Sequence, residues 1–102
     1  MTAAEERVSG GRMHETVALI TGASRGIGRA IAQAYAAEGA SLCLAATDRT
    51  KLEEVEASLG LPAQRTMVLA LDVTDRDACF AAVGAVEQRF GRLDALVNNA
   101  GV

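Results

Sequence analysis

The segment that most restricts what this chain can fold into is Thr21-Gly22-Ala23-Ser24-Arg25-Gly26-Ile27-Gly28, a glycine cluster set between two apolar patterns of different period. Ahead of it, Thr16 to Ile20 is a short apolar run, as expected for a strand buried on both faces. Behind it, Ile27, Ala30, Ile31, Ala34 and Tyr35 recur at three- and four-residue steps, and Gly39 stands where a left-handed helix stop is needed. Strand, glycine turn, helix and stop therefore follow in order. Glycines at such a junction let the chain turn tightly and bring backbone close to whatever lies beside it.

The unit then repeats. Ser41 to Ala46 is a second apolar run, and Leu52, Val55 and Leu59 give a shorter amphipathic helix closed by Gly60 and Pro62. Thr66 to Leu71 reads as a third strand. Thr74 or Asp75 can cap the next helix, whose apolar positions Cys79, Ala82, Val83, Val86 and Phe90 precede Gly91. Leu93 to Val97 is the fourth strand. Strands alternating with helices of this size require parallel pairing and crossover connections, hence a layered α/β sheet. Residues 1 to 15 are polar and aperiodic and are expected to form a flexible extension, so the ordered domain is placed at 16 to 102.

The glycine turn suggests chemistry as well as geometry. Amides at a helix N-terminus, approached closely because Gly26 and Gly28 carry no Cβ, suit a pyrophosphate, whose charge the helix dipole favours. The bland alternative is an ordinary strand-to-helix turn. The spacing G-x-x-x-G-x-G is neither the G-x-G-x-x-G of other dinucleotide enzymes nor a P-loop, which needs lysine where this chain has Arg29.

The segment resembles the cofactor turn T-G-x-x-x-G-[IL]-G of the short-chain dehydrogenase/reductase family. Thr21 to Ala32, TGASRGIGRAIA, looks most like that of the 3-oxoacyl-acyl-carrier-protein reductases, and the resemblance runs from about Thr16 to Val102. It implies a Rossmann-like doubly wound parallel sheet, represented by its N-terminal half: about four strands and three helices in the order 3-2-1-4. It also implies cofactor contacts from Gly22, Ala23, Ser24, Arg25, Gly26, Ile27 and Gly28. Two further sites match the family. Leu71-Asp72-Val73 ends the third strand, where Asp72 would meet the adenine amino group and the Val73 N–H the ring; alone, Asp72 or Asp75 could equally cap a helix. Asn98-Asn99-Ala100-Gly101 matches the family's N-N-A-G element, which implicates Asn99, Ala100 and Gly101, although the same residues also serve as a turn. All three segments fall at carboxyl ends of successive strands, the edge where open α/β sheets bind ligands.

Which dinucleotide binds depends on the end of the second strand. An acidic residue there would hold the ribose 2′-hydroxyl of NAD, but the matching position is Ala46, followed by Thr47. Arg25 is similarly placed to family arginines that meet a 2′-phosphate. The reading favours NADP(H), with NAD(H) as the alternative. Asp48 opposes it if its side chain faces inward, and Arg49 offsets that; both could instead simply open the next helix.

The family reduces a carbonyl or oxidises an alcohol by hydride transfer, with a tyrosine proton donor, a lysine four residues later and a positioning serine. None of that set is found in these 102 residues. Tyr35 lies on the packed face of the first helix and Lys51 opens a surface helix. The expectation is an NADP-preferring oxidoreductase by family, of 3-oxoacyl-thioester type and so tied to fatty acid metabolism, with the chain as it stands catalytically inert and truncated. The competing expectation is a non-catalytic dinucleotide-binding or interaction module. The uncovered fourth strand predicts self-association, or pairing with a full-length relative.

Composition narrows the rest. A net charge of −3 argues against nucleic acid or an anionic membrane as partner. Cys43 and Cys79 lack metal-ligand spacing and read as reduced core thiols, and His14 has no partner for a metal site. No apolar run approaches the ~18 residues of a membrane span. Glu5 and Glu6 precede any hydrophobic stretch, so a cytoplasmic location is the default expectation, organelles being the other address open to the family.

Overall fold

A computed structural model describes residues 14–24 and 26–99. Four strands, β1 (Val17–Thr21), β2 (Ser41–Ala46), β3 (Thr66–Ala70) and β4 (Ala95–Val97), alternate with three α-helices, α1 (Gly26–Ala37), α2 (Arg49–Leu59) and α3 (Arg76–Phe90). A short 3₁₀ turn, Ala63–Arg65, leads into β3. The strands form one parallel sheet in the order β3-β2-β1-β4. With β2 on one side and β4 on the other, β1 has all five residues buried, which fits its apolar run from Val17 to Ile20.

Strand alternation divides the core in two. Ala18, Ile20, Leu42, Leu44 and Val68 face the layer holding Ala32 of α1 with Leu52 and Val55 of α2. Val17, Leu19, Cys43 and Ala45 face the layer holding Ala82 and Val86 of α3. The chain thus changes sheet face after β3, and the strand order reverses between β1 and β4. That reversal opens a crevice at the carboxyl ends of those two strands.

Local chemistry fixes the element ends. The Asp48 carboxylate accepts from the Lys51 N–H at 3.1 Å to start α2, and Asp75 accepts from the Ala78 N–H at 3.0 Å to start α3. Gly60 and Gly91 end these helices with φ of 67° and 83°. At the opposite edge of the sheet, Asp94 joins β4 to β1. Its N–H donates to the Val17 carbonyl and its carboxylate accepts from the Val17 N–H, both at 2.9 Å, while Arg92 grips the same carboxylate with two nitrogens. Arg89 donates to the carbonyls of Ala63 and Thr66, tying the end of α3 to the start of β3.

Three sequence expectations need correction. The packed face of α1 is centred on Gly28 and Ala32, with Ile31, Tyr35 and Ala36 beside them; Ala30 and Ala34 are exposed and Ile27 is 67% exposed. Small residues four apart let the helix lie close to the sheet, so side-chain size misjudged the phase. The fourth strand is Ala95–Val97, not 93–97, because at Asp94 the side chain and backbone both bind Val17 before strand pairing begins. Of the two cysteines, Cys43 is fully buried, but Cys79 is only half-buried at the rim of its cluster; both are free thiols.

Candidate active-site crevice

Because all strand pairs are parallel, the segments that follow Thr21, Ala46, Ala70 and Val97 share one edge. Backbone bonds lace that edge together. The Ala23 N–H donates to the Ala45 carbonyl at 3.2 Å, and the Leu71 N–H to the Ala46 carbonyl at 2.8 Å. These bonds prolong the sheet order past the strand ends and leave the loops with little freedom.

Thr21 is the central tie. Its side chain is buried at the end of β1, where the hydroxyl accepts from the Asn99 N–H at 2.9 Å. The same hydroxyl reaches the Val97 carbonyl and the Asn98 side-chain oxygen, each at 3.3 Å. A hydroxyl has one proton, so it donates to these two acceptors in turn while its lone pair holds Asn99. Asn99 returns the contact, its Nδ2 donating to the Gly22 carbonyl at 3.3 Å. The glycine turn and the segment after β4 are therefore one bonded unit across the crevice.

The glycines explain how close that unit is. A Cβ on Gly28 would stand 2.7 Å from the Gly22 carbonyl carbon and 2.8 Å from Asn99 Nδ2, and closer still to the Gly22 carbonyl oxygen. Only a residue without a side chain lets the first turn of α1 press against Gly22. Gly22 and Gly26 both adopt φ of 62°, the left-handed region in which a side chain is strained. The result is a tight loop leading to the start of a helix, whose first N–H groups have no partners within the helix.

The predicted site residues are brought to this edge in different settings. Gly26 and Ile27 are exposed, and Gly22 and Ser24 are half-buried. Ala23 is fully buried with its N–H engaged by Ala45, so it anchors the turn from behind. Thr47 is exposed at the end of β2. Asp72 is exposed after β3, with Val73 half-buried beside it. Its carboxylate does not cap α3, a role Asp75 fills; it accepts instead from the Thr74 hydroxyl and N–H, which hold it below the ordinary carboxylate range. Asp48 is engaged as the cap of α2, and Arg49 pairs with Glu53 at 3.3 Å on the exposed face of that helix. Arg25, Ala100 and Gly101, like residues 1 to 13 of the expected extension, lie outside the described residues.

Thr21, Asn98 and Thr74 stand within or beside the motifs read from the sequence but were not among the expected cofactor contacts. Thr21 reads as the end of a strand, and only the adjacency of β1 and β4 turns its hydroxyl into a strut. A small apolar cleft of about 180 Å³ opens beside it, lined by Leu19, Leu71, Val73, Cys79 and Leu96. Among the described residues there is no cluster of side chains suited to a metal ion, and no helix long and apolar enough to cross a membrane. The crevice thus supplies backbone amides, small-residue surfaces and one exposed carboxylate. That set can bind and orient a phosphorylated cofactor.

Comparison with known proteins agrees with this geometry. A family described as short chain dehydrogenase matches residues 16–102. Galactitol 2-dehydrogenase of Agrobacterium fabrum is 47% identical over 91 residues, covering 89% of this chain and 34% of that protein. A crystal structure of a short chain dehydrogenase from Bacillus anthracis superposes with a TM-score of 0.82 at 32% identity, covering 86% of this chain and 35% of that one. A metagenomic short-chain oxidoreductase solved in complex with NADP superposes with a TM-score of 0.79 at 43% identity, covering 86% and 40%. The chain spans about a third of the length of the curated relatives it matches. On the sheet order, the glycine turn and these matches together, the chain belongs to the short-chain dehydrogenase family.

Proposed function

We propose that this chain is the dinucleotide-binding portion of an NADP(H)-preferring oxidoreductase that interconverts a carbonyl and an alcohol. The observation that carries this reading is the bonded unit of Thr21, Gly22, Gly28 and Asn99, which holds a glycine loop and a helix start rigidly at the sheet reversal. The residues fit the cofactor. Amides at the start of α1, which have no partner within the helix, suit the pyrophosphate, Gly26 and Ile27 offer exposed surface beside it, and Asp72 with the Val73 N–H suits the adenine edge. When bound, the cofactor supplies the hydride, and the protein's part is to fix its position.

Preference for the 2′-phosphate rests on the end of β2. Ala46 and Thr47 offer no carboxylate to a ribose hydroxyl, and the Asp48 carboxylate is engaged with the Lys51 N–H. Arg25 is the cation proposed to meet the phosphate. NAD(H) remains the weaker ligand in this reading.

The similarity of residues 21–32 points to a 3-oxoacyl thioester as substrate, and through it to fatty acid metabolism. The relatives' names range more widely, from galactitol to a hydroxycyclohexanecarboxylate, so secondary alcohol or ketone is the class they support. Within the 102 residues the one tyrosine, Tyr35, packs against the core under α1, and the one lysine, Lys51, stands at the start of α2. The chain taken alone therefore binds without turnover. A specific observation also favours association with a second copy or a longer relative: among the described residues β4 is the edge of the sheet, and its Leu96 is 57% exposed.

Titration of the purified chain with NADPH and NADH, followed by nicotinamide fluorescence, tests the proposal. Saturable binding tighter for NADPH is expected, with Arg25→Glu reversing the order. A folded sample that binds neither refutes the cofactor reading, and tighter binding of NADH refutes the preference. Steady oxidation of NADPH by a 3-oxoacyl thioester would refute inertness.

A further inference from the structure

The hydrogen bonds around Asp72 are unevenly placed. The Thr74 hydroxyl donates to Oδ1 at 2.7 Å and the Thr74 N–H donates to the same oxygen at 2.9 Å. Oδ2 accepts from none of the described residues. The backbone beneath is closed as well: the Asp75 N–H donates to the Asp72 carbonyl at 3.0 Å, and the half-buried Cys79 thiol meets the Val73 carbonyl at 3.5 Å. Asp75 cannot take over the role of Asp72, because its own carboxylate is used on the Ala78 N–H.

A free aspartate on the surface turns about its Cβ–Cγ bond, and a ligand that needs one orientation must select it. Two donors on one oxygen remove that freedom and aim the other oxygen away from the turn. They also favour the ionised form, which only accepts hydrogen bonds.

We propose that Thr74 is a positioning residue that sets Oδ2 of Asp72 to accept from the exocyclic amine of a 6-aminopurine, so that Thr74 contributes to selecting an adenine over a 6-oxopurine dinucleotide. The inference rests on the dinucleotide reading above and adds a determinant to it. An adenine amine donates to the fixed carboxylate. A hypoxanthine oxygen in its place meets the accepting carboxylate and is rejected.

The test compares the dissociation constants of NADPH and its hypoxanthine analogue on the full chain, measured by nicotinamide fluorescence. The unaltered protein is expected to favour NADPH by about 10-fold or more, the scale of a charge-assisted hydrogen bond. Thr74→Val should shrink that ratio by at least half an order of magnitude, Thr74→Ser should restore it, and Asp72→Asn should bring it near one. Thr74 is exposed, so these variants fold; Thr74→Ala serves as a second probe without the branched side chain. A ratio unmoved by Thr74→Val and Thr74→Ala while Asp72→Asn abolishes it overturns the role of Thr74 and leaves the cofactor reading intact. Equal weakening of both ligands shows a purely structural role and overturns it too. If the unaltered chain binds neither ligand, the dinucleotide reading fails and this proposal with it.

Discussion

Replacing Gly28 by alanine adds one methyl group at the place where α1 touches the glycine turn. That methyl would lie 2.7 Å from the Gly22 carbonyl carbon and 2.8 Å from Asn99 Nδ2, where ordinary contacts begin near 3.4 Å. The nearest atoms are backbone and cannot swing aside. Gly22 is further restrained by the bond from Asn99, and the next residue by the bond from Ala23 to Ala45. Relief requires the turn and helix to separate by roughly 1 Å, for which overpacking costs about 1–3 kcal/mol. Breaking the Asn99–Gly22 bond adds about 1 kcal/mol. Alanine's helix preference over glycine returns about 1 kcal/mol, leaving a net loss of about 2 kcal/mol. Gly84 is the internal control: it lies within α3, and a Cβ there meets nothing within 4 Å. Gly84→Ala should therefore stabilise by about 0.5–1 kcal/mol. With a urea slope of about 1 kcal/mol/M, the two midpoints should move in opposite directions, down by about 2 M for Gly28→Ala and up by about 0.5–1 M for Gly84→Ala. Urea unfolding followed by circular dichroism reads both, and equal midpoints would refute the close-approach argument.

Other substitutions and conditions probe the remaining ties. Thr21→Val keeps the shape but leaves the Asn99 N–H without its acceptor, which should lower stability by about 1–3 kcal/mol and weaken dinucleotide binding; a loss under about 0.5 kcal/mol would contradict the strut. The Arg92 guanidinium and the Val17 N–H hold the Asp94 carboxyl below its ordinary value of 3.8. A carboxyl depressed on folding stabilises above its unfolded pKa, and that contribution is lost as pH falls through the folded value. Thermal melts below pH 4 should therefore decline more steeply for the unaltered chain than for Asp94→Asn, and parallel declines would count against the pairing. Burial pushes the Cys43 thiol up to about 12, so at pH 8 iodoacetamide should leave Cys43 unlabelled in the folded chain and label it in urea. Rapid labelling of native Cys43, read by peptide mass spectrometry, would show that the centre of the sheet opens.

Much of the architecture is legible from residue pattern. Ser41 to Ala46 reads as a strand with both ends placed correctly, and β1 differs from its expected span by one residue at each end, since both are apolar runs buried on two faces. The caps at Asp48 and Asp75 and the stops at Gly60 and Gly91 follow from local hydrogen bonding and backbone preference. Where the pattern fails, a contact from far along the chain decides. α1 turns its smallest residues inward because Gly22 and Asn99 lie against Gly28, and the Asn99 contact comes from the segment after β4.

The order of amino acids alone was enough to specify alternating strands and helices, a glycine loop ahead of the first helix and the three strand-end segments that make up the crevice. These depend on neighbours within a few residues, whose periodicity and backbone preference act locally. Tertiary structure alone decided that Thr21 spans to Asn98 and Asn99 and that Ala23 faces inward while Ile27 faces out. A side chain's hydrogen-bonding capacity is written in its identity, but its partner is set by which strand lies alongside. In this sheet β4 lies beside β1 although more than seventy residues separate them in sequence.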